Sequence, residues 1–118
     1  MLVFVLDSTE DQSIYGSVIE HLSETDVDFS DNMDAALSRI PKRKYDVIVL
    51  SRAGGKTNIY DIAEEIKFTR TVGRSEVVLI EDNPTIASRV NGILRGRKVH
   101  NYKLSQLKDF SNLIGKVR

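Results

Sequence analysis

The sequence predicts an α/β fold organised around a parallel sheet, and three observations support this prediction. Residues 2–6, 47–50 and 77–80 form continuous apolar runs rich in β-branched residues, which indicates strands buried on both faces. Segments with helical spacing of apolar residues separate these runs, and the connections are short. Such alternation favours right-handed crossovers and a parallel sheet with helices on both faces.

Two predicted helices lie in the first half of the chain. Their apolar stripes are Ile14, Val18 and Leu22 in the first, and Met33, Ala36, Leu37 and Ile40 in the second. Pro41 closes the second helix because proline lacks the amide hydrogen that a helix interior requires. Between the two helices, residues 27–30 alternate in polarity, which is typical of a strand near a sheet edge. The central strand, 46–50, follows.

The second half of the chain continues the alternation. The third predicted helix has the stripe Ile59, Ile62, Ala63 and Ile66, and the fourth has Ile86, Val90, Ile93 and Leu94. Asn83 caps the fourth helix, Pro84 occupies its first turn, and Gly96 stops it. Residues 99–104 are more polar, as an edge strand should be. Ser105 caps a last helix, whose stripe is Leu107, Phe110, Ile114 and Val117.

Five strands alternating with five helices favour the flavodoxin-like strand order 2-1-3-4-5. In that order the first and third strands are neighbours, so Asp7 and Ser51 are expected side by side at their carboxyl ends. Glu81 and Lys103 are expected next along the same edge. Ligands of open parallel sheets bind in the crevice outside this edge. These four residues therefore form the predicted site.

Composition limits the classes of function. The chain of 118 residues is predicted to be one domain, 1–118, either a whole protein or one module of a longer chain. Seventeen basic and seventeen acidic residues cancel, which argues against a general polyanion-binding protein. There is no cysteine, which is compatible with a reducing cytoplasm, and no apolar run is long enough for a membrane span. The chain enters a strand directly, with no basic region before a signal-peptide core, so no secretion signal is predicted.

Familiar catalytic motifs are lacking. Gly54, Gly55, Lys56 and Thr57 resemble the end of a phosphate-binding P-loop, but the position of the motif's first glycine is Leu50. His21 and His100 have no triad or zinc-site context. The sequence therefore predicts no catalytic residue, no resident metal and no cofactor.

The chain resembles a receiver domain, the module of two-component response regulators and of the single-domain chemotaxis regulator. The resemblance covers the whole chain in length, element order and spacing. It implies an acidic pair after the first strand that holds magnesium, and an aspartate after the third that accepts a phosphoryl group from a kinase. It also implies a hydroxyl after the fourth strand and a Lys-Pro pair after the fifth.

This chain departs from the receiver pattern at most of these positions. Its residues there are Leu6 and Asp7 for the acidic pair, Ser51 for the acceptor, Glu81 for the hydroxyl, Lys103 and Leu104 for Lys-Pro, and His100 for the aromatic switch residue. A serine hydroxyl is not ionised at neutral pH and needs a base to attack a phosphoryl donor. Asp7 by itself is a poor magnesium site. We expect Glu81 to pair with Lys103 and to hold one conformation without phosphate.

The predicted function is that of a non-phosphorylatable pseudo-receiver, not an enzyme, that acts by protein–protein contact in regulation, dimerisation or localisation. Similar altered receivers stand at the front of some pilus-assembly localisation ATPases and atypical transcription regulators. One alternative is a phosphorylatable or magnesium-binding receiver, in which Asp7 acts with Glu81 or Asp82. Another is a small-ligand binder, for a flavin or nucleotide, although no aromatic-rich loop follows the strands.

The predicted interface is the face of the fourth helix, fifth strand and fifth helix. Its residues are Arg89, Arg95, Arg97, Lys98, His100 and Tyr102. Arginine and tyrosine are frequent interface anchors, so we expect a homodimer or a protein partner at this face. The alternative is a solvated basic face. Nucleic-acid binding by this domain alone is not favoured, because the basic stretch is short and no DNA-binding module follows.

Overall fold

A computed structural model describes residues 2–7, 26–30, 33–51, 59–69 and 75–103. The first and fifth predicted helices, the glycine-containing loop at 54–57 and Leu104 lie outside these ranges. The described residues nevertheless include the predicted sheet except for Leu104, three of the predicted helices and most of the predicted interface.

The sheet has five strands: β1 (Leu2–Asp7), β2 (Asp26–Ser30), β3 (Val47–Ser51), β4 (Glu76–Ile80) and β5 (Val99–Tyr102). All neighbouring pairs are parallel, and the order is β2-β1-β3-β4-β5. The predicted flavodoxin-like fold class is therefore confirmed.

Three α-helices are described: α1 (Met33–Arg39), α2 (Ile59–Phe68) and α3 (Pro84–Ile93). They correspond to the second, third and fourth predicted helices. The longest of them have ten residues, and none in the described ranges is suited to crossing a membrane.

Three predicted boundaries are corrected. Pro41 does not end the helical segment at once, because α1 passes into a 3-10 turn, Ile40–Lys42, that holds Pro41 near its start, where no amide hydrogen is needed. The fifth strand ends at Tyr102, so Lys103 lies after the strand and not within it. The third strand includes Ser51, because Ser51 continues the ladder opposite both Asp7 and Ile80.

Both faces of the sheet are buried. The face that packs on the helices carries Phe4, Leu6, Ile48, Leu50 and Leu79, which join one cluster with buried residues of α1, α2 and α3. Alternate residues point to the opposite face, and there too the side chains are buried: Val3, Val5, Val47, Val49 and Val78. Replacing a residue such as Leu50 with alanine is expected to cost about 2–5 kcal/mol in stability. This burial confirms the continuous apolar runs as central strands.

Candidate functional site

The carboxyl edge of the sheet brings the predicted site positions into one row. Asp7 and Ser51 are direct partners across β1 and β3, and Ser51 in turn lies opposite Ile80 of β4. The backbone N–H of Glu81 donates to the carbonyl of Tyr102 at 3.0 Å, so Glu81 and Lys103 adjoin the same end of β4 and β5. The order along this edge is the one that the topology predicts.

Ser51, at the position of the phosphoryl acceptor, is only 1% exposed. It is the last residue of β3, and the whole of that strand is buried. A serine hydroxyl at this buried position lacks the negative charge of a carboxylate.

Glu81 takes part in the entry to α3. Its Oε1 accepts a hydrogen bond from the backbone N–H of Asn83 at 3.1 Å. Asn83 is the N-cap of α3, and its Oδ1 accepts from the backbone N–H groups of Thr85 at 2.9 Å and Ile86 at 3.4 Å. The cap predicted at Asn83 is thus confirmed. The contact of Glu81 with it is a further feature, typical of a carboxylate near a helix N-terminus. The Glu81–Lys103 pair stays a prediction.

The described ranges contain no group of three or more His, Asp or Glu side chains arranged to hold a metal ion. Glu81 and Asp82 lie at the carboxyl edge, half-buried and exposed respectively.

Arg97, predicted as an interface residue, contacts the end of α2. Its Nη2 lies 3.1 Å from the carbonyl oxygen of Ile66, 3.2 Å from that of Lys67 and 3.5 Å from that of Thr69. Carbonyls at a helix C-terminus have no partners within the helix and carry its partial negative charge. Arg97 therefore acts as a tertiary cap of α2, a role that no local sequence pattern indicates.

Arg89 also faces α2. Its guanidinium carbon lies 4.5 Å from the centre of the Tyr60 ring, within the range of a cation–π interaction. Arg89 as a whole is nevertheless an exposed residue. Arg89 is thus placed where it both ties α3 to α2 and presents positive charge to solvent.

Lys98 and His100 converge on Glu76, the first residue of β4. Lys98 Nζ and His100 Nε2 lie 2.8 Å and 3.1 Å from the same Glu76 Oε1. The hydrogen bond from Lys98 lowers the pKa of Glu76, with a smaller contribution from His100, although burial opposes the shift. His100 lies opposite Val78 in the ladder and so is in the middle of the sheet edge, away from the predicted phospho-pocket.

A reciprocal pair of amides joins α3 to β5. Asn91 Nδ2 donates to Asn101 Oδ1 at 2.7 Å, and Asn101 Nδ2 donates back to Asn91 Oδ1 at 3.2 Å. Asn91 Nδ2 also donates to the Ala87 carbonyl at 2.7 Å. Asparagine is unfavourable in the interior of a helix, and this pairing explains why it is nevertheless found at position 91. No local sequence pattern predicts that Asn91 and Asn101 pair.

Comparison with known proteins places the fold. No family model and no curated protein matches the chain. Among solved structures, chemotaxis protein CheY4 of Vibrio cholerae has a TM-score of 0.76 at 15% identity, with 99% of this chain and 98% of that chain covered.

Two other solved structures illustrate the same likeness. The response regulator domain of Thermotoga maritima CheB has a TM-score of 0.71 at 16% identity, covering 100% of this chain and 93% of that one. An orphan response regulator of H. pylori has a TM-score of 0.70 at 17% identity, covering 99% and 95%. At such identities the likeness shows the fold alone, and the fold of this chain is that of response-regulator receiver domains.

Proposed function

We propose that this chain is a pseudo-receiver that acts by protein–protein contact and does not take up a phosphoryl group. The observation that supports this most directly is the buried serine at the end of β3. Ser51 lies opposite Asp7, where a receiver has its acceptor aspartate, and its hydroxyl is neutral at physiological pH. In a receiver the acceptor carboxylate takes up the phosphoryl group, and Ser51 does not supply a carboxylate.

The residue after β4 supports the same proposal. A receiver has a hydroxyl there that binds the phosphoryl group, whereas this chain has Glu81. A carboxylate at that position repels a phosphoryl group, and the Glu81 side chain is engaged with the backbone N–H of Asn83. The start of α3 is therefore stabilised by the Glu81 side chain in place of a bound phosphoryl group.

The contact surface in this proposal is the side of the molecule formed by α3 and β5. Its exposed or half-buried residues include Arg89, Arg95, Lys98, His100 and Tyr102. Arg97 contributes by holding the turn between α3 and β5 against α2. The module would serve regulation or localisation in the cytoplasm, as a homodimer or on a partner protein, whether the domain 1–118 stands alone or within a longer chain. It has no enzymatic step of its own.

A two-dimensional amide NMR titration tests the proposal. Magnesium is added first and then beryllofluoride, a mimic of the phosphoryl group, with a receiver that has an intact acceptor aspartate as the positive control. We expect the signals of Asp7, Ser51 and Lys103 to stay in place while the control responds. Shifts at modest magnesium concentration that grow with beryllofluoride would refute the proposal and favour a working phosphate pocket.

Light scattering and absorbance on the same sample address the remaining alternatives. A dimer mass supports self-association, and a monomer mass directs the search to a partner protein. A flavin or nucleotide that co-purifies with the protein would overturn the proposal in favour of a small-ligand binder at the carboxyl edge.

A further inference from the structure

We infer that the partner is a protein that presents an acidic segment, and that it docks on the basic surface of α3, the turn after it and β5. We define the basic surface by its exposed cations, Arg89, Arg95, Lys98 and Lys103. This inference rests on the proposed function and deepens it, because it decides between self-association and a different partner.

The first argument is the distribution of charge along the chain. Residues 83–103 contain five of the 17 Lys and Arg residues and none of the 17 Asp and Glu residues. The structure places this acid-free segment together, since it forms α3, the following turn and β5. This segment is therefore locally basic in a chain with no net charge, with Glu76 beside Lys98 as its acidic neighbour. Complementary charges steer protein association.

The second argument is that uncharged groups form two of the contacts that hold this segment in place. Asn83 caps α3, and the Asn91–Asn101 pair joins α3 to β5. The fold thus assigns Arg97 to an internal contact but leaves cations at the surface: the Lys98 side chain is 71% exposed even while it contacts Glu76. Exposed cations are the groups that meet an acidic partner at the rim of an interface.

The third argument disfavours a second copy of the chain on the same surface. In a two-fold symmetric dimer the same patch meets itself, so the acid-free segments of the two copies would face each other. Like charges brought together in such a contact oppose association. A different protein with acidic side chains avoids this repulsion.

The fourth argument disfavours nucleic acid. The neighbouring helix α2, whose Tyr60 contacts Arg89, carries the exposed residues Asp61 and Glu64. A nucleic-acid backbone is uniformly negative and extends past a patch of four cations, so it would meet this acidic helix. A short acidic polypeptide segment can end before it.

Fluorescence anisotropy with a labelled polyglutamate peptide tests the inference. The test variant is Arg89→Glu with Arg95→Glu. The matched control is Lys42→Glu with Lys44→Glu, which makes the same change in charge at two exposed residues before β3. Amide NMR spectra of both variants establish that each retains its fold. We expect the protein to bind the peptide, the test variant to bind about tenfold or more weakly, and the control to bind within about twofold of the unchanged protein.

Other outcomes overturn the inference. Equal losses of peptide affinity in both variants would mean that only the total charge of the protein matters. If the protein does not bind the peptide, an acidic partner is contradicted. Tighter binding of a DNA duplex than of the peptide would assign the basic surface to nucleic acid. A dimer in light scattering that the Arg89 and Arg95 changes dissociate would assign it to self-association. None of these results depends on the beryllofluoride titration, so failure of the inference is distinguishable from failure of the proposed function.

Discussion

Replacing Arg97 with alanine tests whether this side chain holds α2 in place. The Arg97 guanidinium donates to carbonyl oxygens at the end of α2, with its two shorter contacts at 3.1 Å and 3.2 Å and a third at 3.5 Å. These acceptors are the final carbonyls of the helix and of the residue after it, which would otherwise need water. The substitution leaves them without the cation that satisfies them.

The magnitude follows from these contacts. A hydrogen bond to a charged group contributes about 1.5–3 kcal/mol in net stability, and a cation at a helix C-terminus about 0.3–1 kcal/mol. The contacts share one guanidinium on a half-buried side chain and do not add fully, and water replaces part of what is lost. We therefore expect Arg97→Ala to lower the free energy of unfolding by about 2 kcal/mol, equivalent to a fall of roughly 8 °C in the unfolding temperature.

Urea unfolding followed by circular dichroism measures this loss, since the chain has no tryptophan to serve as a fluorescence probe. Arg95→Ala is the matched control, because Arg95 is an exposed arginine two residues away. It should change stability by less than about 0.5 kcal/mol. If Arg97→Ala costs no more than Arg95→Ala, the capping role derived from these distances is wrong.

Four further substitutions give predictions about stability. Gly92→Ala should stabilise the protein by about 0.5–1 kcal/mol, since an added Cβ meets no atom within 4 Å in α3, whereas Gly96→Ala should destabilise it because φ at Gly96 is +93°. Tyr45→Phe should cost about 1 kcal/mol near neutral pH, because the hydroxyl donates to a β2 carboxylate at 2.7 Å. Glu76→Gln should lower stability at neutral pH and flatten its decline in acid, because contact with Lys98 lowers the pKa of Glu76.

Tyr45 and Glu76 make the free energy of unfolding depend on pH in opposite directions. Burial and the hydrogen bond to Asp28 raise the pKa of Tyr45 well above its usual value of 10.0, so its contribution is complete below pH 10 and is lost at higher pH. The lowered pKa of Glu76 gives a contribution that is present above the usual glutamate value of 4.5 and is lost as the pH falls through the folded value. Urea midpoints across pH measure both effects.

Each of these predictions has a result that would contradict it. Equal alkaline loss of stability in the unchanged protein and in Tyr45→Phe would show that the tyrosine hydroxyl is not responsible. An acid profile unaltered by Glu76→Gln would rule out its carboxylate. A destabilising Gly92→Ala would mean that the space around α3 is occupied, and a neutral Gly96→Ala would show that the turn accommodates a side chain.

Local pattern by itself determined the fold class. The runs at 2–6, 47–50 and 77–80 are too apolar to leave either face in water, so they had to become central strands with cover on both sides. The alternation with helices then left few topologies, and the observed order is the expected one. Asn83 and Pro84 marked the start of α3 because capping and proline geometry are local effects.

The tertiary structure alone decided what the polar side chains contact. Arg97 reaches α2 across about thirty residues of sequence, and Asn91 meets Asn101 between a helix and a strand. Lys98 and His100 meet Glu76 because β5 lies beside β4. Apolar burial depends on periodicity that any short window reveals, whereas a hydrogen bond needs two particular atoms within about 3 Å, which only the packed elements bring together.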